Sequence, residues 1–210
     1  KSSVSKDRTF YYIFSILKYR KFLFISNIFE FSKMMCYNII VARLRYCKRK
    51  DDLMNVSVLS RNDVYKIIVN GEFPKNTAAI TFFDPPDGHS AGYQPVDYSD
   101  VTDDVFYVCI PDIDWDAFEN DPEGIKAFFP QAGEAAEFIL KAHDEGKDII
   151  CQCDYGQSRS AGCAMAILEY FEGNGKNIFE DQRYFPNQLV FGKILSALKQ
   201  KQKDVAAFSP

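Results

Sequence analysis

The sequence predicts an α/β fold with a central, mostly parallel sheet flanked by helices in a three-layer domain. Three observations carry this expectation. Short apolar runs over 78–83, 105–110 and 148–151 have the length of buried strands, and 54–59 reads as a further short strand. Stretches with apolar residues at helical spacing lie among them. The two kinds alternate along the chain, the pattern that a parallel sheet with crossover helices requires.

The elements follow in order. Met54 to Leu59 reads as a strand, and Ser60-Arg61-Asn62-Asp63 resembles a capping box that opens a helix running to about Val69. Asn70-Gly71 ends it. Ala78–Phe83 is an apolar strand, followed by a long polar loop from Asp84 to Asp103 that is rich in turn formers. Val105–Ile110 reads as a second buried strand. Glu119 to Pro130 reads as an inserted surface loop. Gln131–Glu145 places Ala135, Phe138, Ile139 and Ala142 on one helical face and closes at Gly146. The strand Asp148–Cys151, a turn, the helix Ser160–Phe171 and an amphipathic helix Gln188–Gln200 complete the chain.

The turn between the fourth strand and its helix holds the chemistry. Cys153-Asp154-Tyr155-Gly156-Gln157-Ser158-Arg159-Ser160 puts a thiol, a glycine and an arginine at a strand end and a helix start. Backbone N–H groups from Asp154 to Arg159, including Tyr155, Gly156, Gln157 and Ser158, can turn towards one spot at the positive end of that helix. A dianionic phosphate suits that spot, and the Arg159 guanidinium can grip two of its oxygens as a planar fork. The same field favours thiolate over thiol at Cys153, which makes the sulfur a nucleophile. In open parallel sheets, ligands bind beyond the carboxyl ends of the strands, which is where this turn falls.

The stretch resembles the signature loop of cysteine-dependent protein tyrosine and dual-specificity phosphatases, His-Cys-x5-Arg-Ser/Thr. Cys-x-x-Gly-x-Ser-Arg-Ser-Ala-Gly is most similar to small bacterial and phage members of that group. Tyr184-Phe185-Pro186-Asn187 before a last helix resembles their C-terminal end. The likeness covers about 54–200, with only the loop highly specific. It implies that Cys153 is the nucleophile, Arg159 the phosphate clamp and Ser160 the hydroxyl that eases breakdown of a phosphoenzyme. Gln152 stands where the family has His.

Cleaving a phosphate monoester also needs a proton for the departing oxygen. The acidic stretch after the Val105–Ile110 strand, Pro111-Asp112-Ile113-Asp114-Trp115-Asp116, leaves on the same side of the sheet. By the resemblance Asp112 matches the family's acid and Asp114 is the alternative. Tyr155 and Gln157 are expected to shape the pocket wall. Asp154 is expected to orient a neighbouring backbone group or Arg159.

Composition bounds the rest. The 210 residues, 47% hydrophobic, suffice for one sizeable core. Residues 1–53 hold 12 basic and 4 acidic side chains, a net of +8, and 54–210 a net of −12. The leader 1–53 is crowded with Phe, Ile, Tyr, Lys and Asn, as translated AT-rich upstream DNA would be. The expected natural start is Met54, with Met34 or Met35 as alternatives, and the phosphatase domain is expected over 54–205. Apolar runs in the leader are too short for the roughly 20 residues of a membrane span. Cys109, Cys151, Cys153 and Cys163 have no disulfide-scaffold spacing and suit a reducing, cytoplasmic compartment. They show no zinc spacing either, so no metal and no cofactor are expected.

The expected partner is a phosphorylated protein or peptide, phosphotyrosine being favoured. Nucleic acid and membrane are not expected partners, and a monomer is expected. The acidic domain disfavours polyanions. A serine hydrolase is excluded because no His follows His143. The alternative from another class is a phosphate-binding module that recognises phosphorylated partners without efficient turnover, a reading kept open by Gln152.

Overall fold

In a computed structural model, the described residues are 54–86 and 94–207, with side chains described as far as 204. The readings of the leader and of the middle of the 84–103 loop lie outside them. Four strands form one sheet: β1 (Val56–Ser60), β2 (Thr77–Phe83), β3 (Val105–Cys109) and β4 (Asp148–Cys153). The spatial order is β1-β4-β2-β3. Every pairing is parallel, with Ser60 opposite Cys153 and Thr81 opposite Gln152.

Alternation along the two central strands separates the faces. Ala78, Ile80 and Phe82 of β2, with Ile149, Cys151 and Cys153 of β4, enter the larger core. There they meet α3 (Ala132–Asp144), α4 (Arg159–Glu172) and α6 (Gln188–Ala207). Ala79 and Ile150 face the other way, against Val64 of α1 (Arg61–Val69) and the buried Tyr98. Helices therefore cover both faces, and the three-layer arrangement is present.

Local chemistry explains the boundaries. Ser60 caps α1 by accepting from the Asp63 amide at 3.1 Å, while its hydroxyl donates to the Asp63 carboxylate at 2.6 Å. Gly173, at φ +68°, ends α4 in the left-handed region. Several expectations shift. The fourth strand runs two residues further, to Cys153, and α4 starts one residue earlier, at Arg159. The last helix continues to Ala207. β3 is an edge strand in which only Val108 is buried, so the reading of a second buried strand is corrected.

The 119–130 stretch is not merely a surface loop. It forms α2 (Pro122–Ala127), capped by the Asp121 side chain on the Gly124 amide. Phe128 and Phe129 then carry it into the core, Phe129 edge-on to Phe82. A short helix α5 (Lys176–Glu180) was not legible in the sequence. No described helix is long and apolar enough to cross a membrane.

Candidate active site

β4 is flanked by β1 and β2, and its carboxyl end delivers Cys153 to the start of the loop. Three of the loop's carbonyls accept hydrogen bonds from other segments. Asp154 O accepts from the Arg61 amide at 3.1 Å and Gln157 O from the Phe185 amide at 2.9 Å. Ser158 O accepts from the amides of Gly162 at 2.8 Å and Asn187 at 3.1 Å. Among the described residues, the amides of Tyr155, Gly156, Gln157 and Ser158 donate to no backbone acceptor. Carbonyls held outward with amides left over is the electrostatic form of an anion nest.

Two glycines make this packing possible. Gly156 has φ +65°, and a Cβ there would lie 2.5 Å from the Ser60 amide nitrogen. A Cβ on Gly162 would lie 2.4 Å from Asn187 O, so the glycine lets α4 pack close against Asn187, whose amide donates to Ser158 O. The Tyr184–Asn187 stretch therefore braces the loop from its far side.

Cys153 Sγ lies 3.0 Å from Ser160 Oγ. Both residues are buried, Cys153 being only 1% exposed. The sulfur is thus nearly covered. Arg159 is equally covered, at 1% exposure. Its Nη1 donates to Asp84 Oδ1 at 3.0 Å and to Ile110 O at 2.7 Å, and its Nη2 donates to Asp84 Oδ2 at 3.2 Å. Its Nε makes no hydrogen bond, although it is fully buried. An unmet buried donor costs about 1–3 kcal/mol, more on a charged group, so it marks a place for an acceptor.

Asp112 stands beside that edge, its Oδ2 3.7 Å from Arg159 Nε. Its Oδ1 accepts from Ser158 Oγ at 2.7 Å and from Asn187 Nδ2 at 3.3 Å. Asp114 is occupied elsewhere. It caps the 3-10 turn at Trp115, and its carboxylate accepts the Gln188 and Leu189 amides at 2.9 and 3.2 Å, which open α6. The geometry brings Asp112, and not Asp114, to Cys153's loop.

Asp154 Oδ1 accepts from Arg61 Nε at 3.1 Å, and its Oδ2 lies 3.9 Å from Arg159 Nη2. Burial raises its carboxyl above the usual range; Arg61 and Arg159 oppose that shift, and Asp84 adds to it. Gln152 faces away from the sulfur, because alternate residues of a strand point to opposite sides. Its Oε1 accepts from Thr81 and, at 3.4 Å, from the hydroxyl of Tyr98. Burial pushes that Tyr98 hydroxyl well above the ordinary phenol range. Tyr155 is 80% exposed and Phe185 72%, so both offer open rings. Cys151 and Cys163 are free thiols in the core; burial first, then the neighbouring Cys151, pushes the Cys163 thiol up. Among the described residues no three His, Cys, Asp or Glu are grouped to hold a metal ion.

Two participants escaped sequence reading. Asp84 looked like the first residue of a polar loop, and Arg61 like a helix start. The signal for Asp84 was its place directly after β2, because adjacent parallel strands end side by side.

Solved structures similar to this chain include phosphatases and a phosphatase-like protein. One is PTPMT1 in complex with PI(5)P, at 10% identity over 72% of this chain and 94% of that chain, with a TM-score of 0.44. Another is a leucine rich repeat and phosphatase domain containing protein from Entamoeba histolytica, at 13% identity over 73% and 92%, with a TM-score of 0.39. A third is the human tyrosine phosphatase-like serine/threonine/tyrosine-interacting protein, at 14% identity over 70% and 87%, with a TM-score of 0.38. No protein-family model and no curated protein matches the chain.

Proposed function

We propose that the chain hydrolyses phosphate monoesters, phosphotyrosine in a protein or peptide being the favoured substrate, through a cysteinyl-phosphate intermediate. The observation that carries this reading is the buried Arg159, whose Nε–H has no acceptor, placed next to a loop with unspent amides and the Cys153 sulfur. That arrangement suits a tetrahedral oxyanion better than it suits any group the protein itself supplies.

The chemistry proceeds in two balanced steps. The Cys153 thiolate attacks phosphorus, forming an S–P bond as the ester P–O bond breaks. Asp112 gives its proton to the departing oxygen. Water then attacks phosphorus and leaves its proton on Asp112, the S–P bond breaks, and inorganic phosphate is released. The loop amides and Arg159 hold the equatorial oxygens in both transition states. Ser160 Oγ, 3.0 Å from the sulfur, donates to it while it carries charge and so eases its departure in the second step. The Asp112 oxygen not held by Ser158 and Asn187 is Oδ2, which lies on the Arg159 side and is the one left open for the proposed proton transfer.

An aryl ester is favoured because Tyr155 and Phe185 are exposed on the loop and on the segment bonded to it. A second reading, a phosphate-binding module with little turnover, draws support from the near-complete burial of Cys153. One assay separates them: hydrolysis of p-nitrophenyl phosphate by the full chain, beside Cys153→Ser and Asp112→Asn. The expected result is steady turnover that vanishes in Cys153→Ser and drops about 100- to 1,000-fold in Asp112→Asn. Tight phosphotyrosine-peptide binding with no turnover would favour the module, and neither binding nor turnover would discard both.

A further inference from the structure

A guanidinium carries five N–H donors in a fixed fork. In Arg159, one Nη1 hydrogen goes to Ile110 O at 2.7 Å and the other to Asp84 Oδ1 at 3.0 Å. One Nη2 hydrogen goes to Asp84 Oδ2 at 3.2 Å. What remains is the Nε–H, which has no hydrogen-bond partner, and the second Nη2–H. These two lie side by side along one edge of the plane, the spacing that takes two oxygens of a phosphate. Asp112 and Asp154 stand off at 3.7 and 3.9 Å from Nε and Nη2, beyond hydrogen-bond reach.

We propose that Asp84 is a positioning residue: by gripping the far end of the Arg159 fork, it presents the remaining edge to an oxyanion held by the loop. The inference rests on the phosphate-binding reading above. Asp84 follows Phe83, the last residue of β2, and β2 is hydrogen-bonded to β4, so the sheet brings this carboxylate beside the loop. Its bidentate grip fixes both the tilt and the rotation of the plane, which Ile110 O alone, as a single acceptor, cannot do.

Charge by itself argues for the opposite effect. Asp84 is a carboxylate close to where a dianion would sit, and simple Coulomb repulsion says that its removal tightens anion binding. Orientation says that its removal loosens it, because a swivelling fork meets the phosphate with one hydrogen bond instead of two. The two accounts differ in sign, so one measurement decides.

The measurement is tungstate binding by calorimetry to the full chain and to Asp84→Asn and Asp84→Glu, with p-nitrophenyl phosphate kinetics alongside. Asp84→Asn is expected to weaken tungstate about tenfold, the size of one charge-assisted hydrogen bond. KM should rise by a similar factor, with a smaller change in kcat. Asp84→Glu keeps a bidentate carboxylate and should recover most of the affinity, which a merely structural defect would not do. The Asp84 side chain is 42% exposed, so Asp84→Asn is expected to fold. If it does not, Asp84→Ser takes its place with the same expected loss. Unchanged or tighter tungstate binding in a folded variant overturns the assignment and leaves the phosphate-binding reading standing. A wild-type chain that binds no tungstate overturns both.

Discussion

Gly156→Ala tests whether the loop is shaped as described. Two separate penalties meet at this position. The first is conformational: φ is +65°, and an L-residue in the left-handed region costs about 1–2 kcal/mol. The second is steric. The new Cβ would lie 2.5 Å from the Ser60 nitrogen, 2.7 Å from the Leu59 carbonyl carbon and 3.0 Å from its oxygen. These are backbone atoms at the end of β1, paired to β4 through Leu59–Gln152 and Ser60–Cys153, so they cannot swing aside as a side chain would. Overpacking of that kind costs about 1–3 kcal/mol. Together the loss should be about 3 kcal/mol, less than the roughly 5–15 kcal/mol that holds a typical domain. The variant should therefore fold. With a urea slope of about 2 kcal/mol per molar, its midpoint should fall by about 1.5 M.

Gly71→Ala is the internal control. Its φ is +69°, but nothing lies within 4 Å of the added Cβ, so it carries the conformational cost alone, about 1 kcal/mol. Paired urea melts of the two variants, with tungstate titration of each, complete the assay. Gly156→Ala should also lose oxyanion affinity while Gly71→Ala keeps it. Equal midpoints for the two variants, or normal tungstate binding by Gly156→Ala, would refute the close approach of loop and β1.

Asp114→Ala should lower stability by about 1–2 kcal/mol by removing the acceptor for the Gln188 and Leu189 amides. Its turnover per folded molecule should stay near wild type, in contrast with Asp112→Asn; parallel melts and p-nitrophenyl phosphate assays check this. Asp154 should give a pH signature. Its carboxyl is raised by burial above 3.8, so the native state keeps a proton that the unfolded chain releases. Stability is then lost through this group as pH rises from the unfolded value through the folded one. Asp154→Asn should lose less stability than wild type over that interval, read as the difference between urea midpoints at pH 3.5 and pH 6. A difference of the opposite sign would contradict the raised carboxyl.

Much of the scaffold could be read from local pattern. The Ser60 cap, the Asn70-Gly71 stop and the apolar runs of β2 and β4 are decided by residues within a few positions of each other. Local signals therefore sufficed to place α1 and the central strands. The edge position of β3 was not visible, because Val105–Cys109 is apolar enough for either place and only its neighbours settle exposure. Phe128 and Phe129 were misread for the same kind of reason. The Gly and Pro around them signal a loop, and nothing local says that the loop turns inward.

The candidate site divides in the same way. Cys153, Gly156, Arg159 and Ser160 sit within eight consecutive positions, and their chemistry is set by a strand end, a tight turn and a helix start, all of which are local. Their order in the chain was enough to propose an anion-binding turn. Asp112 and Asp114 are two residues apart with the same side chain, and no local rule separates them. Folding does, because Asn187 and Ser158 reach one while the start of α6 takes the other. Asp84 reaches Arg159 across 75 positions, through the pairing of β2 with β4. Short-range backbone preferences lie in the sequence itself, whereas which distant carboxylate meets a given cation is decided only when the strands assemble, because strand order sets those distances.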